Sequence, residues 1–276
     1  MYRKTLEIRD RVLGEEHPET LSTMGNLALL YWQQGRLDQA EQLGLKTLEI
    51  HKRILGEEHP DTMKSRNNLA LVYTDQARYD KAEQLCLETL QICKRVLGGE
   101  HPDTLSCTNN LADVYSVQGR YDEAEPLYRE TLENRLRVLG EEHSQTLFSM
   151  MNLAGLHYKQ GHFEQARSLQ HQAVAVSRRV WPEGSWFTGA FLGEYGPTLI
   201  KLQRYEDAEV ALLEAHDTLT ATRGPDFERT ITVAESLVEL YDAWGKPQKA
   251  AEYRAKLPAE QDAAASDPAA DDKRDE

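Results

Sequence analysis

A period of 42 residues runs along this 276-residue chain and constrains its fold more than any other feature. The hexapeptide Leu-Gly-Glu-Glu-His-Pro begins at Leu13 and again at Leu55, and close variants begin at Leu97 and Leu139. One alanine position carries the same register further along the chain, at Ala40, Ala82, Ala124, Ala166, Ala208 and Ala250. An unbroken period of this length predicts an array of stacked copies of one structural unit.

Each copy predicts two amphipathic helices joined by a short turn. In the second copy, the segments 63–76 and 80–97 both place apolar side chains at helical spacing. Gly98 suits the end of a helix, and Pro102 suits the opening turn of the next one. Ala77 marks the turn inside this copy, where the first, third and fourth copies have Gly35, Gly119 and Gly161. No stretch alternates with the period of a strand, so the fold class is all-α.

Small side chains at two positions of the unit predict how its helices pack. Alanine recurs in the first helix at 28, 70, 112 and 154, and in the second helix at 40, 82, 124 and 166. These positions let the paired helices approach closely, while leucines and tyrosines one turn away provide bulk. A single unit leaves an apolar face uncovered, so stability is expected to come from stacking.

The composition excludes several classes of protein. A formal charge of -14 argues against nucleic acid as a partner, which would need clustered lysine and arginine. Three cysteines do not make a disulfide framework, which indicates a reducing compartment. No apolar run reaches the ~20 residues that span a membrane, and the charged N-terminus lacks a signal-peptide core. We therefore expect a soluble cytoplasmic protein.

The pattern Leu-Ala-x-x-Tyr-x-x-x-Gly-Arg-Tyr-x-x-Ala-Glu at residues 111–125 resembles the tetratricopeptide repeat. The 42-residue length and the Leu-Gly-x-x-His-Pro-x-Thr connector are similar to the repeats of kinesin light chain. The resemblance covers residues 2 to about 258 and implies a right-handed superhelical solenoid of helix-turn-helix repeats. The N-terminal coiled coil that binds the motor in kinesin light chain is absent from this sequence.

The register divides the chain into an expected set of segments. Six complete repeats occupy residues 21–258, starting at Leu21, Met63, Leu105, Leu147, Gly189 and Ile231. Residues 1–20 match only the second helix of a repeat, so this orphan helix is either a cap or a sign of a longer array. Residues 259–276 are predicted to be a disordered acidic tail. Pro197 falls inside a predicted first helix and is expected to kink or break it.

The resemblance implies that the first helix of each repeat lines a concave groove that holds a ligand peptide. One position of that helix carries asparagine in four repeats, at Asn26, Asn68, Asn110 and Asn152. An amide offers a donor and an acceptor to a peptide backbone, so this ladder suits an extended chain of varied sequence. The alternative is that each amide is satisfied within its own helix.

Side chains at neighbouring positions of the same helix face predict which kinds of side chain the ligand peptide contains. Besides the ladder, the predicted peptide-binding residues are Leu29, Trp32, Lys64, Asn67, Leu71, Asn109, Phe148, Met151 and Tyr158. The aromatic side chains favour an extended segment with an aromatic or aliphatic anchor. A clamp for a C-terminal carboxylate is weakly supported, because Asn68 stands where that clamp needs an arginine.

The sequence predicts neither an enzyme nor a cofactor. It contains no phosphate-binding loop, metalloprotease motif or nucleophile elbow. One histidine per repeat cannot form a metal site, since neighbouring helix axes are ~8–10 Å apart. Cys86 and Cys93 are too far apart along one helix for a disulfide, and with Cys107 are interpreted as small buried residues.

The expected function is a protein-interaction scaffold with a protein or peptide partner and no nucleic-acid or membrane partner. Two alternatives stay open. The repeats could form the regulatory or sensor arm of a larger signalling enzyme, such as a kinase or nucleotide-switch protein. They could also form a self-associating structural array, since the end helices expose apolar surface. The chain is accordingly expected to be a monomer or to associate end to end.

Overall fold

The computed structural model describes residues 2–258, and over that range it contains thirteen α-helices and no strand. The predicted acidic tail, 259–276, lies outside the described residues. The helices are α1 Tyr2–Leu13, α2 Pro18–Gln33, α3 Leu37–Leu55, α4 Pro60–Asp75, α5 Tyr79–Leu97, α6 Pro102–Val117, α7 Tyr121–Leu139, α8 Ser144–Lys159, α9 Phe163–Val180, α10 Trp186–Lys201, α11 Tyr205–Arg223, α12 Glu228–Ala243 and α13 Pro247–Arg254. They form two compact units, unit 1 from Met1 to His162 and unit 2 from Phe163 onward. The all-α prediction is confirmed.

The first helices of unit 1 begin in one repeated way. Proline is the first residue of α2, α4 and α6, as the sequence predicts. The preceding histidine caps the helix, because its Nδ1 accepts a hydrogen bond of 3.2 Å from the backbone N–H two residues later. This contact recurs at His17, His59, His101 and His143. The histidines therefore satisfy helix N-termini, a role that the sequence reasoning missed.

The turn between paired helices requires one residue with left-handed backbone. Gly35, Gly119 and Gly161 fill that place with φ of 70°, 75° and 79°. In the second copy Ala77 adopts the same conformation, with φ of 57°. An alanine there strains the backbone, because its Cβ crowds the following carbonyl. The repeat therefore requires left-handed backbone at this position even where the residue is alanine.

The small residues lie in the core as predicted. In the second helices Ala40, Ala82 and Ala124 are fully buried, and in the first helices Ala70 and Ala112 are at most 1% exposed. Ala40 packs in one buried cluster with Leu27 and Tyr31 of α2. Close packing of paired helices through alanine leaves the other face of each first helix for the surface described below.

Unit 2 packs its first pair more tightly than alanine would allow. A Cβ placed on Gly196 would clash with the side chain of Leu212, so α10 and α11 are in contact through this glycine. The helix α10 also continues past Pro197 to Lys201, so the expected break does not occur. No helix of the described residues is both long and apolar enough to span a membrane.

Candidate functional site

The ladder asparagines of unit 1 lie on successive first helices, Asn26 on α2, Asn68 on α4, Asn110 on α6 and Asn152 on α8. Asn26 is exposed and the other three are half-buried. Within residues 2–258, the side-chain amides of Asn26, Asn68 and Asn110 make no hydrogen bond. Asn152 differs, because its Nδ2 donates to Asn109 Oδ1 at 3.0 Å. Three amides therefore keep both their donor and their acceptor for another molecule.

Two of these free amides share one cavity. It has a volume of ≈ 290 Å³, lies between α2 and α4, and is lined by Asn26, Lys64 and Asn68. Its floor comes from α3, where His51 Nδ1 lies 2.8 Å from Ser65 Oγ. Burial lowers the pKa of His51, which keeps the imidazole neutral near pH 7. The cavity thus combines neutral polar groups with one lysine, Lys64, and one carboxylate, Asp61.

The third free amide lines a second cavity of ≈ 230 Å³, between α4 and α6. Asn110 and Leu71 line it together with Asp113. Asp113 accepts hydrogen bonds from the Tyr128 hydroxyl and, at 2.9 Å, from Asn109 Nδ2. Burial still outweighs these donors and raises the pKa of Asp113 to about 6. Asp113 is therefore still mostly ionised at pH 7, but it takes up its proton at a higher pH than an ordinary aspartate does.

Trp32 is tied to the neighbouring repeat. Its Nε1 donates to Asp75 Oδ2 at 2.7 Å, and the indole is half-buried. The structure holds the ring between α2 and α4 in a fixed orientation. Leu29 and Leu71 are also half-buried on this face, and Lys64 and Phe148 are exposed. These side chains offer apolar surface beside the free amides.

The remaining predicted residues lie deeper. Asn109 is 8% exposed and bridges Asp113 and Asn152. Asn67 donates from Nδ2 to Cys107 Sγ at 3.1 Å, and its Oδ1 is buried without a hydrogen-bond partner. Met151 is 3% exposed, and Tyr158 is half-buried. Asn26 and Asn68 therefore line one cavity and Asn110 and Leu71 line another, while Asn109 and Met151 are buried.

A second set of residues links each second helix to the first helix of the next repeat. The two positions are fourteen residues apart, and they hold His51 with Ser65 and Cys93 with Cys107. The two sulfur atoms of the cysteine pair are 3.3 Å apart. Either thiol can be the donor in this contact, and the hydrogen bond between them raises the pKa of Cys93 and lowers that of Cys107. Sequence reasoning considered Cys86 with Cys93 and missed this contact, although the spacing of fourteen recurs in each repeat.

A wider depression lies along α5. It measures ≈ 1040 Å³, but residues of that one helix alone line it, from Asp80 to Arg95. Its charged side chains are exposed, and Leu87 is the main apolar contribution. An open depression on one helix offers a ligand little enclosure, so we place the candidate site on the first helices.

The comparisons with known proteins agree with this architecture. The tetratricopeptide-repeat family profile matches residues 1–53, 26–85, 61–136 and 106–179, and the chain therefore belongs to that family. A search of curated proteins finds no significant match.

Solved structures with the same fold include kinesin-light-chain-like and peptide-bound proteins. The nearly identical repeats of a protein described as a kinesin light chain from Podosopora anserina are 25% identical, with a TM-score of 0.59, over 75% of this chain and 98% of that one. BtubC from P. vanneervenii is 22% identical, with a TM-score of 0.64, over 81% and 90%. NprR in complex with its cognate peptide NprX is 18% identical, with a TM-score of 0.65, over 93% and 71%.

Proposed function

We propose that this chain is a noncatalytic scaffold that binds an extended peptide of a partner protein on the first helices of unit 1. The observation that carries the proposal is the set of three amides without hydrogen-bond partners, Asn26, Asn68 and Asn110, on one face of consecutive repeats. An extended peptide presents a backbone N–H and C=O at regular intervals, which is what a row of amides can bind. We call this surface, formed by α2, α4, α6 and α8, the ladder face.

The neighbouring side chains suit a peptide with an apolar anchor. Leu29 and Leu71 flank the free amides, and Phe148 is exposed on α8. The two cavities are large enough for one side chain each, at ≈ 290 and ≈ 230 Å³. A buried anchor of this kind supplies most of the binding free energy in many interfaces, while backbone contacts set the register.

The structural neighbours support a peptide as the ligand. NprR has been solved in complex with its peptide NprX, and a Rap protein has been solved in complex with the competence and sporulation factor. Both share the fold of this chain at low sequence identity, so they make peptide binding plausible for the architecture without assigning a sequence to the peptide.

The experiment is a peptide array followed by affinity measurements. The array is probed with the wild-type chain, and binding peptides are titrated by fluorescence anisotropy. We expect Asn68→Ala/Asn110→Ala to weaken binding by at least ~10-fold, since two hydrogen-bonding side chains are lost. The matched control, Gln84→Ala/Gln91→Ala on the outer face of α5, should keep wild-type affinity. Unchanged affinity in the asparagine variant, or a loss confined to the control, would place the ligand elsewhere.

A second candidate function, self-association, is favoured by α1. This helix has no buried residue, and Ile8 and Val12 are 54% and 67% exposed. The equivalent Ile50 in α3 is buried. Light scattering over a range of concentrations, with Ile8→Glu/Val12→Glu as the comparison, separates a monomer from an oligomer held through α1. A concentration-independent monomeric mass would exclude this candidate.

A sensor arm of a signalling protein is the remaining candidate. The observation that favours it is the similarity to NprR, which is described as a quorum sensor. Sequencing of the gene on both sides of this reading frame tests it, because a sensor arm would be continuous with an effector domain.

A further inference from the structure

Arg135 on α7 is a buried arginine whose hydrogen bonds are incomplete. It is 6% exposed. Its Nη1 donates to Ser149 Oγ at 2.8 Å and to the Gln145 carbonyl at 3.2 Å, and its Nη2 donates to Ser106 Oγ at 3.3 Å. The Nε–H is buried without an acceptor. A guanidinium has five N–H donors, so the edge formed by Nε and Nη2 keeps two of them.

The acceptors around Arg135 are all neutral. No carboxylate of residues 2–258 forms an ion pair with it. The charge of Asp113 acts on Arg135 from a distance, but the Asp113 carboxylate accepts its hydrogen bonds from Tyr128 and Asn109. The other buried arginine of unit 1, Arg66, is by contrast paired with both Glu57 and Glu88. An unpaired buried cation is costly, so Arg135 lacks a partner that its position calls for.

The repeat itself shows what that partner is. Arg9 occupies the position of Arg135 three repeats earlier and donates to Thr23 Oγ1 at 2.7 Å, as Arg135 donates to Ser149. There the carboxylate of Glu19 lies 3.1 Å from Arg9 Nη2. The residue equivalent to Glu19 beside Arg135 is Gln145, which cannot supply a negative charge.

We infer that the guanidinium of Arg135 is an anion subsite of the ladder face, and that it takes a carboxylate group of the ligand in the place that Glu19 fills beside Arg9. This inference rests on the proposed function, because the bound peptide would supply the carboxylate. Ser106 and Gln145 contact the guanidinium and are half-buried, so solvent reaches the residues that border the subsite. Ladder residues Asn110 and Asn152 lie on the same two helices, α6 and α8.

A carboxylate fits this site because it is planar and accepts two parallel hydrogen bonds. Nε and Nη2 lie on one edge of the guanidinium and each keeps one N–H without an acceptor, and this is the edge that binds a carboxylate in a bidentate arginine–carboxylate pair. Two sources supply that group in a peptide, an aspartate or glutamate side chain and the C-terminal carboxylate. Both have the same chemistry and are separated by the experiment below.

The subsite is tested first with acetate, which needs no peptide. Thermal unfolding is followed in sodium acetate and in sodium chloride of the same ionic strength, for wild type, Gln145→Glu and the neutral control Gln145→Met. We expect acetate to raise the melting temperature of wild type and Gln145→Met above its value in chloride, because the bound anion favours the folded state. Gln145→Glu supplies the internal carboxylate and should lose this difference. Equal differences in all three proteins, or none in wild type, would overturn the inference.

The second test uses the peptides selected by the array. Each is compared with versions in which aspartate and glutamate become asparagine and glutamine, and with a version amidated at the C-terminus. We expect one of these neutralised versions to bind wild type at least ~30-fold more weakly, and the parent peptide to bind Gln145→Glu with a similar loss. The version that loses affinity identifies the source of the carboxylate.

The outcomes separate the two claims. Peptides that bind wild type and Gln145→Glu equally, with no need for a carboxylate, would overturn the subsite and leave the ladder face intact. An acetate effect that depends on Gln145, together with an array that yields no peptide, would support the subsite and overturn the proposed peptide function.

Discussion

Ser65 Oγ lies 2.8 Å from His51 Nδ1, and this contact joins the second helix of one repeat to the first helix of the next. The same two positions hold Cys93 with Cys107 and Arg135 with Ser149. One place in the repeat therefore carries an imidazole, a thiol or a guanidinium on nearly the same backbone. The fold tolerates this variation because buried alanines and leucines at other positions pack the helices together. The chemistry beneath the ladder face therefore changes from repeat to repeat.

The turn at Ala77 gives a prediction of increased stability. Its φ of 57° is unfavourable for alanine, and glycine adopts it without crowding. We expect Ala77→Gly to raise the free energy of unfolding by ~0.5–1 kcal/mol, measured by urea denaturation. The matched control is Gly119→Ala at the same turn position, which should lower stability by a similar amount. A destabilised Ala77→Gly would mean that this turn is not strained.

Close packing at Ala82 gives a prediction of decreased stability. The residue is fully buried between paired helices. A leucine there adds three carbons to a filled space, so Ala82→Leu should lower the free energy of unfolding by ~1–3 kcal/mol. Gln91→Leu, exposed on the same helix, provides the control and should have little effect. An unchanged urea midpoint for Ala82→Leu would show that the pairing of α4 and α5 is looser than described.

Much of this architecture follows from the sequence, and the reason is the period. Ala82 and Pro102 could be placed because the same local requirement recurs along the chain, with the alanine in six copies and the proline in three. The contact from Trp32 to Asp75 could not be placed, since it depends on how two repeats are rotated against each other. The burial of Met151 beneath the ladder face depends on the same rotation.

The anion subsite shows a different limit. The substitution of Gln145 at the position of Glu19 is visible in the aligned repeats, but its meaning depends on Arg135 being buried. Sequence alone does not distinguish a buried arginine from a solvated one on a charged helix. The free amides of Asn68 and Asn110 were likewise expected from a family resemblance, while the internal bond of Asn152 to Asn109 required coordinates.

The raised pKa of Asp113 predicts how stability depends on pH. Its folded pKa is about 6, whereas an unfolded aspartate titrates near its ordinary value of ~4. Between these values the folded chain holds a proton that the unfolded chain has released. The contribution of this group to the free energy of unfolding therefore falls as pH rises from ~4 to ~6 and stays low above that range.

Asp113→Asn isolates this contribution. The difference in unfolding free energy, variant minus wild type, should increase by on the order of 1–3 kcal/mol between pH 4 and pH 7. Urea denaturation at a series of pH values measures it, with Asp122→Asn at an exposed position as the control. A difference that stays constant with pH would show that Asp113 titrates as an ordinary carboxyl group.

The cysteines are predicted to be unreactive in the folded protein. Cys86, Cys93 and Cys107 are fully buried, and burial raises the pKa of Cys86 to about 12. An exposed thiolate attacks the disulfide of Ellman's reagent, so labelling should be slow in buffer and rapid in urea for all three cysteines. Stoichiometric labelling of Cys93 or Cys107 in buffer within the mixing time would contradict their burial beneath the ladder face.

Photo-cross-linking shows directly whether a peptide binds on the ladder face. A peptide selected by the array carries a benzophenone at its centre, is irradiated in complex with the wild-type chain, and the attachment sites are located by mass spectrometry. We expect cross-links to the first helices, within residues 60–75 and 102–117, that disappear with excess unlabelled peptide. Cross-links concentrated instead in 79–97, on the outer face of α5, would contradict binding at the ladder face.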